Sequence, residues 1–147
     1  MLAQKTGYAL ITKDAIDRSL EKEHIVNGRA GYEVIFGLTL LNLQNKVSVI
    51  LDAVFTVDPL RDQTIEIAKR TGADIYFIVC TCSSEKIWKE RINNRPPVVE
   101  GWTPADWNEV QRVRSIYTEW THLHLQIDAV DPLEQNFHKV CDYIGIS

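Results

Sequence analysis

Two aspartates stand where apolar runs give out. Tyr8-Ala9-Leu10-Ile11-Thr12 leads into Lys13-Asp14, and Val47-Ser48-Val49-Ile50-Leu51 leads into Asp52. In open parallel sheets ligands gather outside the carboxyl ends of the strands, so acids at these two points are placed for chemistry on a bound molecule. A carboxylate there can take the proton of an attacking hydroxyl or orient a metal-bound water, as phosphoryl transfer requires. The usual companion of such acids is absent from the sequence. None of the seven glycines is followed by lysine, so these 147 residues contain no G-x-x-x-x-G-K-[ST] phosphate loop.

Other candidate groups lie along the chain. Lys13 and Arg18 flank Asp14 and would suit an anionic group on a substrate, and Arg29 and Arg61 open two further helical stretches. Arg91 and Arg95 fall four residues apart on one helix face, beside Pro96-Pro97 and Gly101-Trp102, with Arg112 and Arg114 beyond. That setting suits a lid that closes over a triphosphate and neutralises developing charge. Each has an ordinary structural alternative: Asp14 as the cap of the helix it begins, Asp52 as a strand-end acid, the arginines as exposed helical residues. His122-x-His124 and His138 are not matched by Cys or carboxylate at ligand spacing, so no metal site is expected. Cys80-x-Cys82 reads as buried strand packing and the four tryptophans as packing around the lid, with stacking on a base as the alternative.

The elements that must position these groups alternate. Helical stretches are expected at about 14–22, 29–44, 60–70, 85–95, 103–120 and 131–144, and strands at 8–12, 47–52, 75–80 and 123–127. This is an α/β pattern: a three-layer parallel sheet with crossover helices. Val34, Leu38 and Leu41, with Ile35 beside them, are expected to form the core stripe of the 29–44 helix. Thr71-Gly72 is expected to end the 60–70 helix with a left-handed cap. The length suits one domain, 1–147, with a small lid subdomain at about 91–120. A net charge of −4 argues against a protein that grips nucleic acid. No apolar run approaches a membrane span, and three cysteines point to a reducing compartment, the cytoplasm.

Leu10-Ile11-Thr12-Lys13-Asp14-Ala15-Ile16, then Gly28-Arg29 with Tyr32, then Val49-Ile50-Leu51-Asp52-Ala53-Val54-Phe55 with Arg61, together resemble the AAA-type P-loop kinases. That group includes polynucleotide 5′-kinases, zeta-toxin-like kinases and chloramphenicol phosphotransferases. Glu90-Arg91-Ile92-Asn93-Asn94-Arg95 looks like the family's arginine-bearing lid entrance. The resemblance implies a P-loop NTPase-like fold and use of ATP and Mg²⁺. It also implies Asp14 as general base, Asp52 and Arg95 as catalytic partners, and Lys13, Arg18, Arg29 and Arg61 on the substrate. Arg91, Arg95 and Arg112 would meet the nucleotide. The family's substrate arginine falls one residue before Arg18, where this chain has Asp17.

By the same resemblance, Met1–Gly7 matches only the end of a first helix, so the first strand, central in a 2-3-1-4-5 sheet, and the phosphate loop have no counterpart here. Unpaired backbone groups in mid-sheet cost about 1–3 kcal/mol each, so something must compensate. Three answers are open: the strands ending at Asp52 and Cys82 close on each other, a second copy supplies pairing as a homodimer, or the sequence is part of a longer protein. The function expected is a kinase-like phosphotransferase for a small molecule or nucleotide, impaired in ATP binding. The alternative is a non-catalytic kinase-like binding or oligomerisation module.

Overall fold

The computed structural model describes residues 1–25, 28–96 and 105–146. Residues 97–104, which hold most of the expected Pro-Pro to Gly-Trp segment and the Thr103-Pro104 helix start, lie outside the described residues. The chain divides into two compact units, the first spanning Met1–Asp74 and the second the described residues from Ile75 onward. Among the described residues, no helix is long and apolar enough to cross a membrane.

In the first unit, α1 (Leu2–Thr6) ends on Gly7, which takes the left-handed conformation. Strand β1 (Ala9–Thr12) runs into α2 (Lys13–Lys22) without a loop, and α3 (Arg29–Gln44) follows. Strand β2 (Val49–Asp52) pairs parallel to β1, with Ala9 opposite Val49 and Thr12 opposite Asp52. Helix α4 (Asp58–Thr71) closes the unit. It begins two residues earlier than expected because Pro59, in its first turn, needs no amide partner there and stiffens the start. Gly72 caps its end at φ 66°, as the Thr71-Gly72 pair implies.

The core stripe of α3 has a different phase from the expected one. Tyr32, Ile35, Phe36 and Thr39 are buried, whereas Val34, Leu38 and Leu41 are exposed. Nearly every face of this helix carries an apolar residue, so periodicity alone left two stripes open. Ile11 on β1 and Ile67 on α4 select the one that packs. Ile35 is fully buried, and Ile35→Ala is expected to cost about 3 kcal/mol of unfolding free energy, against less than about 0.5 kcal/mol for Leu41→Ala. Urea unfolding of the two variants checks this; equal losses would contradict the assignment.

In the second unit, β3 (Ile78–Thr81) pairs parallel to β4 (Leu125–Asp128). Helices α5 (Glu85–Asn93), α6 (Trp107–Ser115) and α7 (Leu133–Ile144) complete it. Strand β3 is shorter than the apolar run suggested, and Cys80 on it is exposed rather than packed. Helix α6 stops at Ser115, short of Trp120, whose ring instead packs on Phe77 with centroids 5.0 Å apart.

Among the described residues, β1 pairs with β2 in the first unit and β3 with β4 in the second. Two-stranded parallel ladders are marginal alone, so each unit's stability rests on the helices packed against its sheet.

Candidate active site

Parallel register builds the first unit's site. Because Thr12 faces Asp52 across the ladder, the chain leaves both strands at the same level and the same end. Thr12 keeps extended dihedrals and serves as the N-cap of α2, so Asp14 sits inside the first helical turn rather than acting as the cap. There a carboxylate is favoured by the exposed amides and the helix dipole. Asp14 is half-buried and has interaction partners, while Asp52 is exposed at the strand terminus.

The neighbouring cations divide by what they bind. Lys13 pairs with Asp17 one turn along α2, both side chains largely shielded from solvent, and Lys13 Nζ lies 4.9 Å from the centroid of the Tyr32 ring. The helices approach so closely here that a Cβ at Gly31 would overlap Asp17 Oδ1 and meet Lys13 Nζ at 3.4 Å. The Tyr32 hydroxyl in turn donates to the Val54 carbonyl, two residues beyond Asp52. Burial, reinforced by the Asp17 charge, pushes the Tyr32 phenol up to about 12 from 10.0. Its protonated form therefore stabilises the fold below pH 10, and that contribution fades as the pH climbs through 12.

Arg18 follows Asp14 by one turn on the same face of α2, and its Nε is buried without a hydrogen-bond partner. Arg29 is exposed and bonds Glu33 at 3.2 Å. Arg61 is fully buried: its guanidinium donates to the Phe55 carbonyl at 3.0 Å, to Asp58 at 2.8 Å and to the Thr56 carbonyl at 3.4 Å. It is therefore neither an exposed helical arginine nor turned to solvent; it fastens the segment that follows Asp52.

Gly31 carries a prediction of its own. Gly31→Ala gains about 1 kcal/mol of helix propensity yet is expected to destabilise by about 1–2 kcal/mol, because Asp17 must leave Lys13. In the Asp17→Ala background the same change should become neutral or stabilising. A thermal-denaturation double-mutant cycle reads the coupling, and additive effects would contradict the packing described.

The lid candidates belong to the second unit. Arg91 donates to the Ala129 carbonyl, just past the end of β4. Arg112 pairs with Glu109 within α6, at 2.6 and 2.7 Å. Arg114 reaches Glu85 at 3.3 Å and lies over the Trp88 ring, which meets Trp107 edge-on. Arg95 is exposed beyond the end of α5. At the carboxyl ends of β3 and β4, Asp128 accepts from the Ser83 and Val130 amides at 3.1 and 3.0 Å. Hydrogen bonds from the Ser83 side chain first, then from these amides, hold its carboxyl below the usual range. Buried Asn136 donates to the Asp128 carbonyl. Among the described residues no cluster of three His, Cys, Asp or Glu forms a metal site.

Sequence reasoning passed over Asp17, Gly31, Tyr32, Asp128 and Asn136 as site elements. The Lys13/Asp17 pair left a signal in the i,i+4 spacing of opposite charges, and Tyr32 appeared among the residues that carry the family resemblance.

The two units thus carry parallel strand pairs with helices after the strands and acids at the strand ends, an α/β arrangement. The chain belongs to an AAA domain family, whose model matches residues 1–119. Among solved structures it is similar to a gluconokinase from Sinorhizobium meliloti 1021, with a TM-score of 0.69 at 17% identity, covering 98% of this chain and 81% of that one. It is also similar to a sugar kinase from Janibacter sp. HTCC2649, with a TM-score of 0.68 at 16% identity, covering 99% and 84%. Among curated protein sequences none matches.

Proposed function

We propose that this chain is a cytoplasmic, ATP-dependent phosphotransferase acting on a hydroxyl of a small molecule, with Asp14 as general base and Asp52 orienting the acceptor. The observation that carries this is the β1-β2 register, which brings the Asp14 and Asp52 segments off the sheet at one level. The names of the similar structures, a gluconokinase and a sugar kinase, support a small polyhydroxy acceptor over a nucleotide.

The residues fit the acceptor half of such a reaction better than the triphosphate half. ATP and Mg²⁺ would supply the phosphoryl group and its charge neutralisation. Mg²⁺ commonly takes one or two carboxylates and completes its shell with phosphates and water, which the exposed Asp52 carboxylate suits. The triphosphate cradle of backbone amides and lysine has no G-x-x-x-x-G-K-[ST] to build it in these residues. We therefore expect weak ATP binding. Asp14 takes the hydroxyl proton as the acceptor attacks, and Asp52 holds the acceptor or its bound water in line.

A second reading, a non-catalytic binding or self-associating module, draws on the internal pairing of Lys13, Arg29 and Arg61 and on the two separate strand pairs. Calorimetric titration with Mg-ATP, with the mass of the chain checked in the same sample, separates them. Saturable binding in the millimolar range is expected. Micromolar binding would overturn the weak cradle, and no saturable binding, with a dimer mass, would overturn the phosphotransferase in favour of the module.

A further inference from the structure

We infer that Tyr32 is a positioning residue that holds the segments carrying Asp14 and Asp52 in one arrangement; this rests on the reading that those two carboxylates serve the reaction. The ring and the hydroxyl work on different segments. The ring face takes Lys13, the residue before Asp14, and Asp17 fixes that lysine from the next turn of α2. The hydroxyl donates to Val54, two residues after Asp52, whose carbonyl also accepts the Thr56 amide at 2.9 Å. One side chain on α3 thus touches what leaves β1 and what leaves β2.

A space-filling role would not require the hydroxyl. Tyr32 lies among Phe36 and Phe55, with centroids at 6.2 and 5.9 Å, and phenylalanine would fill the same volume. Placing a phenol in this core is costly unless its hydroxyl is bonded, and here the bond goes to the loop that follows a candidate catalytic acid. Gly31, immediately before it, permits the close approach of α2 that sets Asp17 against Lys13. Phosphoryl transfer depends on in-line placement, so small displacements of these segments cost rate rather than affinity.

Tyr32→Phe removes the hydroxyl alone. With millimolar Mg-ATP and polyol acceptors, kcat is expected to fall about tenfold while KM for both substrates stays within about twofold, as loss of placement predicts. In the Asp52→Asn background the same change should have no further effect, because it acts through the Asp52 segment; a merely structural role would add to any background. If Tyr32→Phe folds poorly, Asp17→Asn approaches the network from the Lys13 side with the same expected kcat loss. Should Asp14→Asn and Asp52→Asn each lower kcat to a reduced but measurable value while Tyr32→Phe and Asp17→Asn leave it unchanged, the positioning role is overturned. Should Asp14→Asn and Asp52→Asn transfer like the wild type, or the wild type give no transfer, the underlying reading falls and this inference with it.

Discussion

Arg61→Ala is expected to lower the unfolding free energy by about 3–5 kcal/mol, from two carbonyls left without their donor at about 1–3 kcal/mol each and the cavity the side chain leaves. The guanidinium has no exposed surface, and it carries three separate bonds to residues 55–58. Truncation leaves the Phe55 and Thr56 carbonyls without this donor and opens a cavity of side-chain size. Asp58 is 44% exposed, so its share of the loss is recovered by water and the carbonyls dominate. Arg61→Lys should recover little, since one ammonium cannot reproduce the divergent fork that reaches both the carbonyls and Asp58. Chemical denaturation of the two variants reads the effect. A loss below about 1 kcal/mol would mean the arginine is not the fastener of this segment. Because the segment begins just beyond Asp52, acceptor binding should weaken in parallel at temperatures where the variant remains folded.

Asp14→Asn is expected to reduce phosphoryl transfer by about 10²- to 10⁴-fold, the range for removing a general base. Asparagine retains the size of the side chain but gives up the charge–dipole attraction to the first turn of α2, so a stability loss of about 0.3–1 kcal/mol is expected. The loss should fall on kcat, because proton removal belongs to the transition state rather than to substrate binding. Single-turnover assays at saturating Mg-ATP separate this from effects on nucleotide affinity. A stability loss with unchanged kcat would return Asp14 to a helix-terminus role.

Much of this was legible in the residues. The alternation of elements was clear because Gly7 and Gly72 mark helix ends and because the strand runs are dense in branched residues. The start of α3 at Arg29 and the end of β2 at Asp52 followed from the same punctuation. The place of Asp52 as the last residue of β2 was legible too, whereas Asp14 falls inside α2, two residues past the end of β1. The phase of α3 was not legible, because Val34, Leu38 and Leu41 are as apolar as the residues that pack. Residues distant in sequence, Ile11 and Ile67 among them, decide which stripe is covered. Arg61 was misplaced for a related reason: its acceptors include a nearby carboxylate and two backbone carbonyls, and carbonyl direction leaves no trace in composition. The network at Tyr32 joins α2, α3 and the segment after β2, and a tertiary junction of that kind appears only once the register is known.

The measurement that bears most directly on the central claim is product formation by the wild-type chain, incubated with millimolar Mg-ATP labelled at the γ-phosphate and a panel of polyols, sugars and nucleosides. The account predicts a labelled polyhydroxy product that forms slowly, requires Mg²⁺ and is lost with Asp14→Asn. No labelled product with any acceptor, or equal product from the wild type and Asp14→Asn, would contradict it.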